Sequence, residues 1–412
     1  MKISLDYIAR VEGEGSVKFE IRAGKLANLK LNIWEPPRFF EGFLKGRSFD
    51  EAPDITARIC GICPVSHMST AIRAIEKAIG FTPSEEIDRL RKIMSLSQIA
   101  ASHVVHLYVL ALPDYYRIHV ITGMENELNR LLRLKEVLNR VTGAFGGRAL
   151  HPVAMMVGGF PKLPSRDTIG ALIDGLQSIR EDLFDTAAMI GKLRYPALET
   201  DAEFVALSGD AGYCINKGTI ISNRGLQASE DDYDSIFEER ELVYSNAKRT
   251  TIKGRGALMV GALARLNLNL EKLHPDARKA AREPGFTPQV NNPYGNNLAQ
   301  AIETIHCVSE CIELLGKIEG KDHYKKPVIR EGFGSAVTEA PRGLLCHQYQ
   351  VNRRGAIERA NIITPTAHNF LSLEDNLKKL ITENVDLPRE ELSLRCEMLV
   401  RAYDPCFSCS VH

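Results

Sequence analysis

Two Cys-x-x-Cys pairs constrain this 412-residue chain more than any other feature: Cys60 and Cys63 near its start, Cys406 and Cys409 at its end. A chain end is ordinarily frayed and tolerant of change. Here it carries two thiols and the imidazole of His412, which predicts an end tucked inside and held there. A metal centre needing four thiolates, drawn from both ends of the chain, would hold it.

The nine cysteines (60, 63, 214, 307, 311, 346, 396, 406 and 409) are an odd number in a large chain, which argues against a disulfide framework. Four thiolates suit zinc, an iron–sulfur cluster, or nickel with iron. The plainest reading is a structural zinc site, making the chain a stapled scaffold without redox activity. Against it, zinc ribbons usually close over a short loop, whereas these pairs are separated by almost the whole chain. Arg58 before the first pair and His67 after it also look placed to support the ligands. Cys307 and Cys311 stand four apart beside His306, a spacing that can bind metal, but core filling is the better account, as for Cys214, Cys346 and Cys396. His103 and His106 read as packed or hydrogen-bonded histidines.

Lys+Arg and Asp+Glu balance at 52 each, so no net field draws the chain to nucleic acid or an acidic membrane. No uninterrupted apolar stretch approaches the ~20 residues of a membrane span. Asp6 and Arg10 interrupt the place where a signal peptide would be apolar. Alternation through Val17, Phe19, Ile21 and then Leu29, Leu31, Ile33 predicts an N-terminal β-hairpin turning at Ala23-Gly24-Lys25. Helical spacing runs from Pro64 through Met68, Ile72, Ile75 and Ile79 to Gly80. The first cysteine pair therefore feeds a helix N-terminus, where the local dipole favours thiolate. Thr82-Pro83-Ser84-Glu85 reads as a capping box opening a long helix to Leu112, stopped by Pro113. Further helices are expected at about 117–142, 167–192, 257–281 and 296–317, and from Pro388 to just before Pro405, leaving the last cysteines in an extended tail. Segment 200–255 is mixed, with a charged surface run from Glu230 to Glu241. The expected architecture is α+β and mainly helical: a bundle of long helices with an N-terminal hairpin, one unit over 1–412, the metal site lying between the two cysteine motifs.

The stretch Arg58-Ile-Cys-Gly-Ile-Cys-Pro-Val-Ser-His67 and the ending Asp404-Pro-Cys-Phe-Ser-Cys-Ser-Val-His412 resemble the two signature motifs of the large subunit of [NiFe]-hydrogenases. Arg10-Val-Glu-Gly-Glu14, Pro37-Arg-Phe-Phe-Glu41, Gly146-Gly-Arg-Ala-Leu-His-Pro152, Gly158-Gly159, Glu339-Ala-Pro-Arg-Gly343 and Ile363-Thr-Pro-Thr366 fill the family's remaining positions in order. Ser102-His103 with Pro113-Asp114, and Glu35-Pro-Pro-Arg-Phe-Phe-Glu41, look most like the cytoplasmic bidirectional branch linked to NAD(P), which includes sulfhydrogenases.

The resemblance implies that Cys60, Cys63, Cys406 and Cys409 hold nickel, with Cys63 and Cys409 bridging to an iron that carries CO and cyanide. It implies reversible oxidation of H2, split heterolytically, with the proton passing to the Cys406 sulfur and then Glu12. Arg342 would overhang the metals and donate to a cyanide, oriented by Asp404 with Pro341 fixing its approach, and Thr366 would be a further donor. Cys406 and Arg342 are both candidates for the first base. Glu41, a backbone carbonyl near Ile362, and His412 match a magnesium site, and His67 would donate to a bridging sulfur. Relatives are cleaved just after the terminal histidine, so this sequence looks like the processed form. Electrons would leave through an iron–sulfur small subunit, and any NAD(P) chemistry would belong to a flavin-containing partner. Other acceptors in the family are a deazaflavin, a heterodisulfide or a quinone, and some members sense hydrogen. Glu14 stands where many relatives have histidine, Phe39 where many have glycine, and Ser102 where the membrane-bound branch has an acid that helps hold the arginine.

Overall fold

Proline and glycine punctuate the element on which the site is built. In the computed structural model, which describes residues 2–120, 123–210 and 212–411, the helix Pro64–Ile79 starts on its proline and ends at Gly80 with φ 69°. Proline costs nothing at a helix start, where its missing N–H would have had no partner, and glycine accepts the left-handed ending. Nearly every residue of this helix is buried. One side packs against an antiparallel sheet of Gly332–Ala340, Gly343–Val351 and Ile357–Ile363. The close approach requires Gly334, since a Cβ there would collide with the Ala74 carbonyl and lie 2.5 Å from the Ala78 nitrogen.

That sheet is absent from the sequence expectations because two of its strands are buried on both faces and show no polar–apolar alternation. Its first two strands pair Ala340 with Gly343, so Pro341 and Arg342 form a two-residue hairpin tip. The N-terminal hairpin is present as Gly15–Arg22 and Lys25–Ile33, with Lys2–Leu5 adding a third strand.

The helical layer departs from expectation in detail. Ser84, not Thr82, caps the second long helix, its hydroxyl accepting from the Ile87 N–H. The helix runs Glu85–Val105, widens to a π-helix over His106–Ala111, and continues through Pro113 to Tyr115, so the proline does not end it. This run is long and apolar enough to cross a membrane, but most of it is buried among the protein's own helices. The helix Asn296–Gly316 packs along it, and Glu125–Gly146 covers another side. The 167–192 stretch breaks at Ile179 into Arg166–Ser178 and Arg180–Gly191, and 257–281 holds a short strand and the helices Ala262–Asn269 and Pro275–Arg282. Glu230 is an anchor rather than part of a surface run: it pairs with Arg73 and Lys77 and accepts from the Val337 N–H. The terminal tail is wholly buried through Val411 and closes in a 3-10 turn, Ser408–Val411, rather than running extended.

Candidate metal centre

Cys60 is the extended residue after a short 3-10 turn, and Cys63 is the N-cap of the Pro64–Ile79 helix. The Ile62 and Cys63 N–H groups point back at the Cys60 sulfur, 3.3 and 3.4 Å away. From the other end of the chain, the Asp404–Cys406 segment is threaded beside residue 12, with the Phe407 N–H donating to the Glu12 carbonyl at 2.8 Å. Gly13 and Gly15 make room for it, since a Cβ on either would strike Phe407. The result is a buried cluster of the four sulfurs of Cys60, Cys63, Cys406 and Cys409, all within 4.8 Å of one another.

Metal–thiolate bonds of about 2.3 Å put sulfurs about 3.8 Å apart in a tetrahedral site and about 4.6 Å across a square-planar one. The Cys60 and Cys406 sulfurs, 3.6 Å apart, are near a tetrahedral edge, and the four are close enough to converge on one ion once the Cys406–Cys409 bond is open. In this structure Cys406 and Cys409 are joined as a disulfide, where the sequence argued for thiols. The oxidised pair and the ligating pair are alternative uses of the same two sulfurs, and ligation requires both reduced and deprotonated. The Cys63 thiol facing Cys60, aided by the Arg342 charge, lowers the Cys60 thiol below its ordinary value despite burial.

Glu12 stands against the cluster. Its Oε2 is 2.9 Å from the Cys406 sulfur and accepts from the Ser408 N–H at 3.2 Å, while Oε1 accepts from the Ser408 hydroxyl. Arg342 projects from the hairpin tip and is 4% exposed. Its Nε donates to the Asp404 carbonyl at 2.7 Å and to Oδ1 at 3.1 Å, and Nη2 is 2.9 Å from Oδ1. Burial opposes its charge, but Asp404 and then Cys63 and Cys60 outweigh that and hold it firmly protonated. Nη1 and Nη2 are both buried without a hydrogen-bond acceptor among the described residues, Nη2 meeting Asp404 only as an ion pair, so donors are left over for whatever else enters the site. The tip is gripped from behind by Arg265, which donates to the carbonyls of Ala340 and Pro341, both at 3.1 Å, and pairs with Glu339 and Glu303.

Thr366 accepts from the Cys406 N–H at 2.9 Å, so it also seats the tail. His67 Nδ1 is 3.3 Å from His347 Nε2. Glu41 accepts from the Ile362 N–H at 2.8 Å, which brings that pair together, while His412 lies outside the described residues. Arg58 does not support the ligands: it is half exposed and pairs with Asp54 at 2.6 Å. Ser102 is buried with no partner for its hydroxyl among the described residues. Cys307, Cys311, Cys346 and Cys396 are buried core residues outside the cluster, and Cys214 is half-buried.

Arg38 is a site residue to which the sequence alone assigned no role. Its Nη2 donates to the carbonyls of Ile59 and Ser408, the residues just before Cys60 and Cys409, and its N–H donates to the Val411 carbonyl at 3.0 Å. It therefore ties both cysteine motifs together. The signal for it was its place in the Pro37-Arg-Phe-Phe-Glu41 motif.

A nickel-dependent hydrogenase family profile matches residues 38–130 and 219–412. The chain is 36% identical to the alpha subunit of sulfhydrogenase 1 of Pyrococcus furiosus, covering 100% of this chain and 98% of the relative. It is 28% identical to a polypeptide of the F420-non-reducing hydrogenase of Methanothermobacter thermautotrophicus, with 100% and 95% covered. Among solved structures, an NAD+-reducing [NiFe]-hydrogenase in the H2-reduced state superposes with a TM-score of 0.91 at 27% identity, over 100% of this chain and 99% of that one.

Proposed function

Because this chain belongs to the nickel-dependent hydrogenase family, as its large, catalytic subunit, we propose that Glu12 carries the proton between the Cys406 sulfur and the outside, and that the enzyme's electrons pass to NAD(P). The contact that carries the proton assignment is the 2.9 Å approach of Glu12 Oε2 to the Cys406 sulfur. A carboxylate that lies against a ligating sulfur on one side and accepts from a hydroxyl on the other can take a proton when the sulfur carries one and pass it on. The Ni–Fe centre, with CO and cyanide on iron, supplies the heterolytic cleavage of H2 when bound, and Cys60, Cys63, Cys406 and Cys409 are its holders. Arg342 faces it as a fixed positive charge whose Nη1 and Nη2 have no hydrogen-bond acceptor among the described residues. Asp404 sets the guanidinium plane, Pro341 and Gly343 fix the hairpin tip, and Thr366 seats the Cys406 backbone.

Glu41, the Ile362 backbone and His412 are proposed to hold magnesium, tying the tail to the N-terminal half, and His67 to donate to a bridging sulfur. The likeness to an NAD+-reducing enzyme supports the nicotinamide acceptor. Relatives carry subunit names, which supports assembly with further chains, an iron–sulfur small subunit first among them; a flavin-containing reductase and a cytoplasmic location complete the proposal.

The test is H2-dependent reduction of NADP+, NAD+ and a viologen dye by the natively purified complex, wild type beside Glu12→Gln. We expect nicotinamide reduction by the wild type and at least a roughly hundredfold loss in the variant at unchanged nickel content. Full activity of Glu12→Gln defeats the relay, and dye reduction without nicotinamide reduction defeats the acceptor.

A further inference from the structure

Arg342 needs a rigid counter-charge, and among the described residues Asp404 is the side chain left to provide it. Ser102 contributes nothing, because its buried hydroxyl has no partner there. Asp404 holds the guanidinium through Oδ1, and its other oxygen, Oδ2, accepts from Gln300 Nε2 at 3.0 Å. Building on the reading of Arg342 above, we propose that Gln300, locked by His106, is the positioning residue that fixes Asp404 and thereby aims Arg342 over the four sulfurs.

The donor count leads to this assignment. Asp404 pairs with a guanidinium, so its oxygens accept, and the Gln300 group facing Oδ2 is the NH2. The remaining Gln300 oxygen faces His106 Nδ1, and His106 Nε2 lies 2.6 Å from the Arg401 carbonyl, so the ring is held at both ends. His103, one turn earlier, is the contrast: Nε2 is bonded to Glu303 and Nδ1 has no partner among the described residues.

The neighbouring acids are committed elsewhere: on the Asn296–Gly316 helix Glu303 is taken by Arg265 and His103, and behind His106 Asp114 is shared by Arg401 and Arg10. Asp404 is thus held from two sides, by Arg342 on Oδ1 and by Gln300 on Oδ2. Both Gln300 and His106 are 1% exposed, so water cannot replace either arm. His106 opens the π-helical stretch, a widening of the kind frequently found at functional sites.

The test uses the complete complex with Gln300→Glu and His106→Gln. Gln300→Glu keeps an acceptor for His106 and turns a second carboxylate on Asp404. We expect wild-type nickel content, a fall in kcat for H2-dependent dye reduction of about 10- to 100-fold with KM for H2 little changed, and shifted infrared bands of the diatomic ligands on iron. Wild-type kcat and unshifted bands overturn the inference. His106→Gln removes the ring that holds the Gln300 oxygen and should lower kcat and shift the infrared bands in the same direction; wild-type values in that variant also overturn the inference. A wild-type complex lacking nickel or the iron-ligand bands instead sinks the hydrogenase-site reading itself, and this inference falls with it.

Discussion

Replacing Arg38 by glutamine should loosen the metal cage without touching a ligand. One guanidinium nitrogen serves two carbonyls, Ile59 O and Ser408 O, that belong to opposite ends of the chain. A hydrogen bond from a charged group to a neutral acceptor contributes about 1.5–3 kcal/mol, and the partial exposure of Arg38 argues for the low end. The pair is then worth about 3 kcal/mol toward docking the tail, which corresponds to a roughly hundredfold change in how often the tail opens. If nickel leaves through that opening, its loss to excess chelator should be about a hundredfold faster in Arg38→Gln than in wild type. Arg38→Lys should fall between them, because its ammonium keeps the charge and can serve two carbonyls but sits on a more flexible stem that does not fix it where Nη2 stands. The assay is nickel retained by the purified complex over time in chelator, with circular dichroism confirming that the remainder stays folded. A wild-type rate of loss from a folded Arg38→Gln complex would refute the clamp.

Three further outcomes are expected. Burial alone would raise the Glu310 carboxyl, but the His306 ring at 3.0 Å and the charge of Lys92 outweigh it and hold it down at about 2. A depressed carboxyl stabilises the fold fully above its unfolded value of about 4.3 and loses that contribution as pH falls toward 2, so Glu310→Gln should flatten the acid limb of a stability–pH curve by up to about 3 kcal/mol; an unchanged limb counts against the pairing. Gly334→Ala forces the sheet off the Pro64–Ile79 helix and should cost several kcal/mol, seen as a melting temperature lowered by several degrees and less nickel per chain; an unaltered melt contradicts the close-approach argument. Cys307→Ala and Cys311→Ala should each cost about 1–2 kcal/mol of core packing and leave nickel per chain unchanged, and loss of nickel would reassign them.

The site was legible wherever its chemistry is local. Cys-x-x-Cys places two sulfurs together whatever the rest of the chain does, and Pro64 with Gly80 brackets a helix by backbone restrictions alone. Element ends were less legible, because the competing signals are short-ranged: Ser84 outcompetes Thr82 as the cap, and Pro113 is absorbed where the π-turn has already loosened the i→i−4 ladder. Arg58 misled for a different reason: it neighbours Cys60 in sequence, but the 3-10 turn between them points it outward to Asp54.

By itself the sequence determined which atoms could bind metal, that both chain ends had to supply them, and which family's motifs they form, since side-chain chemistry and motif order do not depend on the path between. Only the tertiary structure decided what holds that arrangement. Arg38 reaching Ile59 and Ser408, Arg265 gripping the Arg342 hairpin, and Gln300 joining Asp404 to His106 are contacts between residues up to 370 positions apart. Such partners leave no periodicity or spacing in a single chain. They are selected by which buried donors and acceptors remain unpaired once the helices and sheets have closed, and that account can be made only in three dimensions.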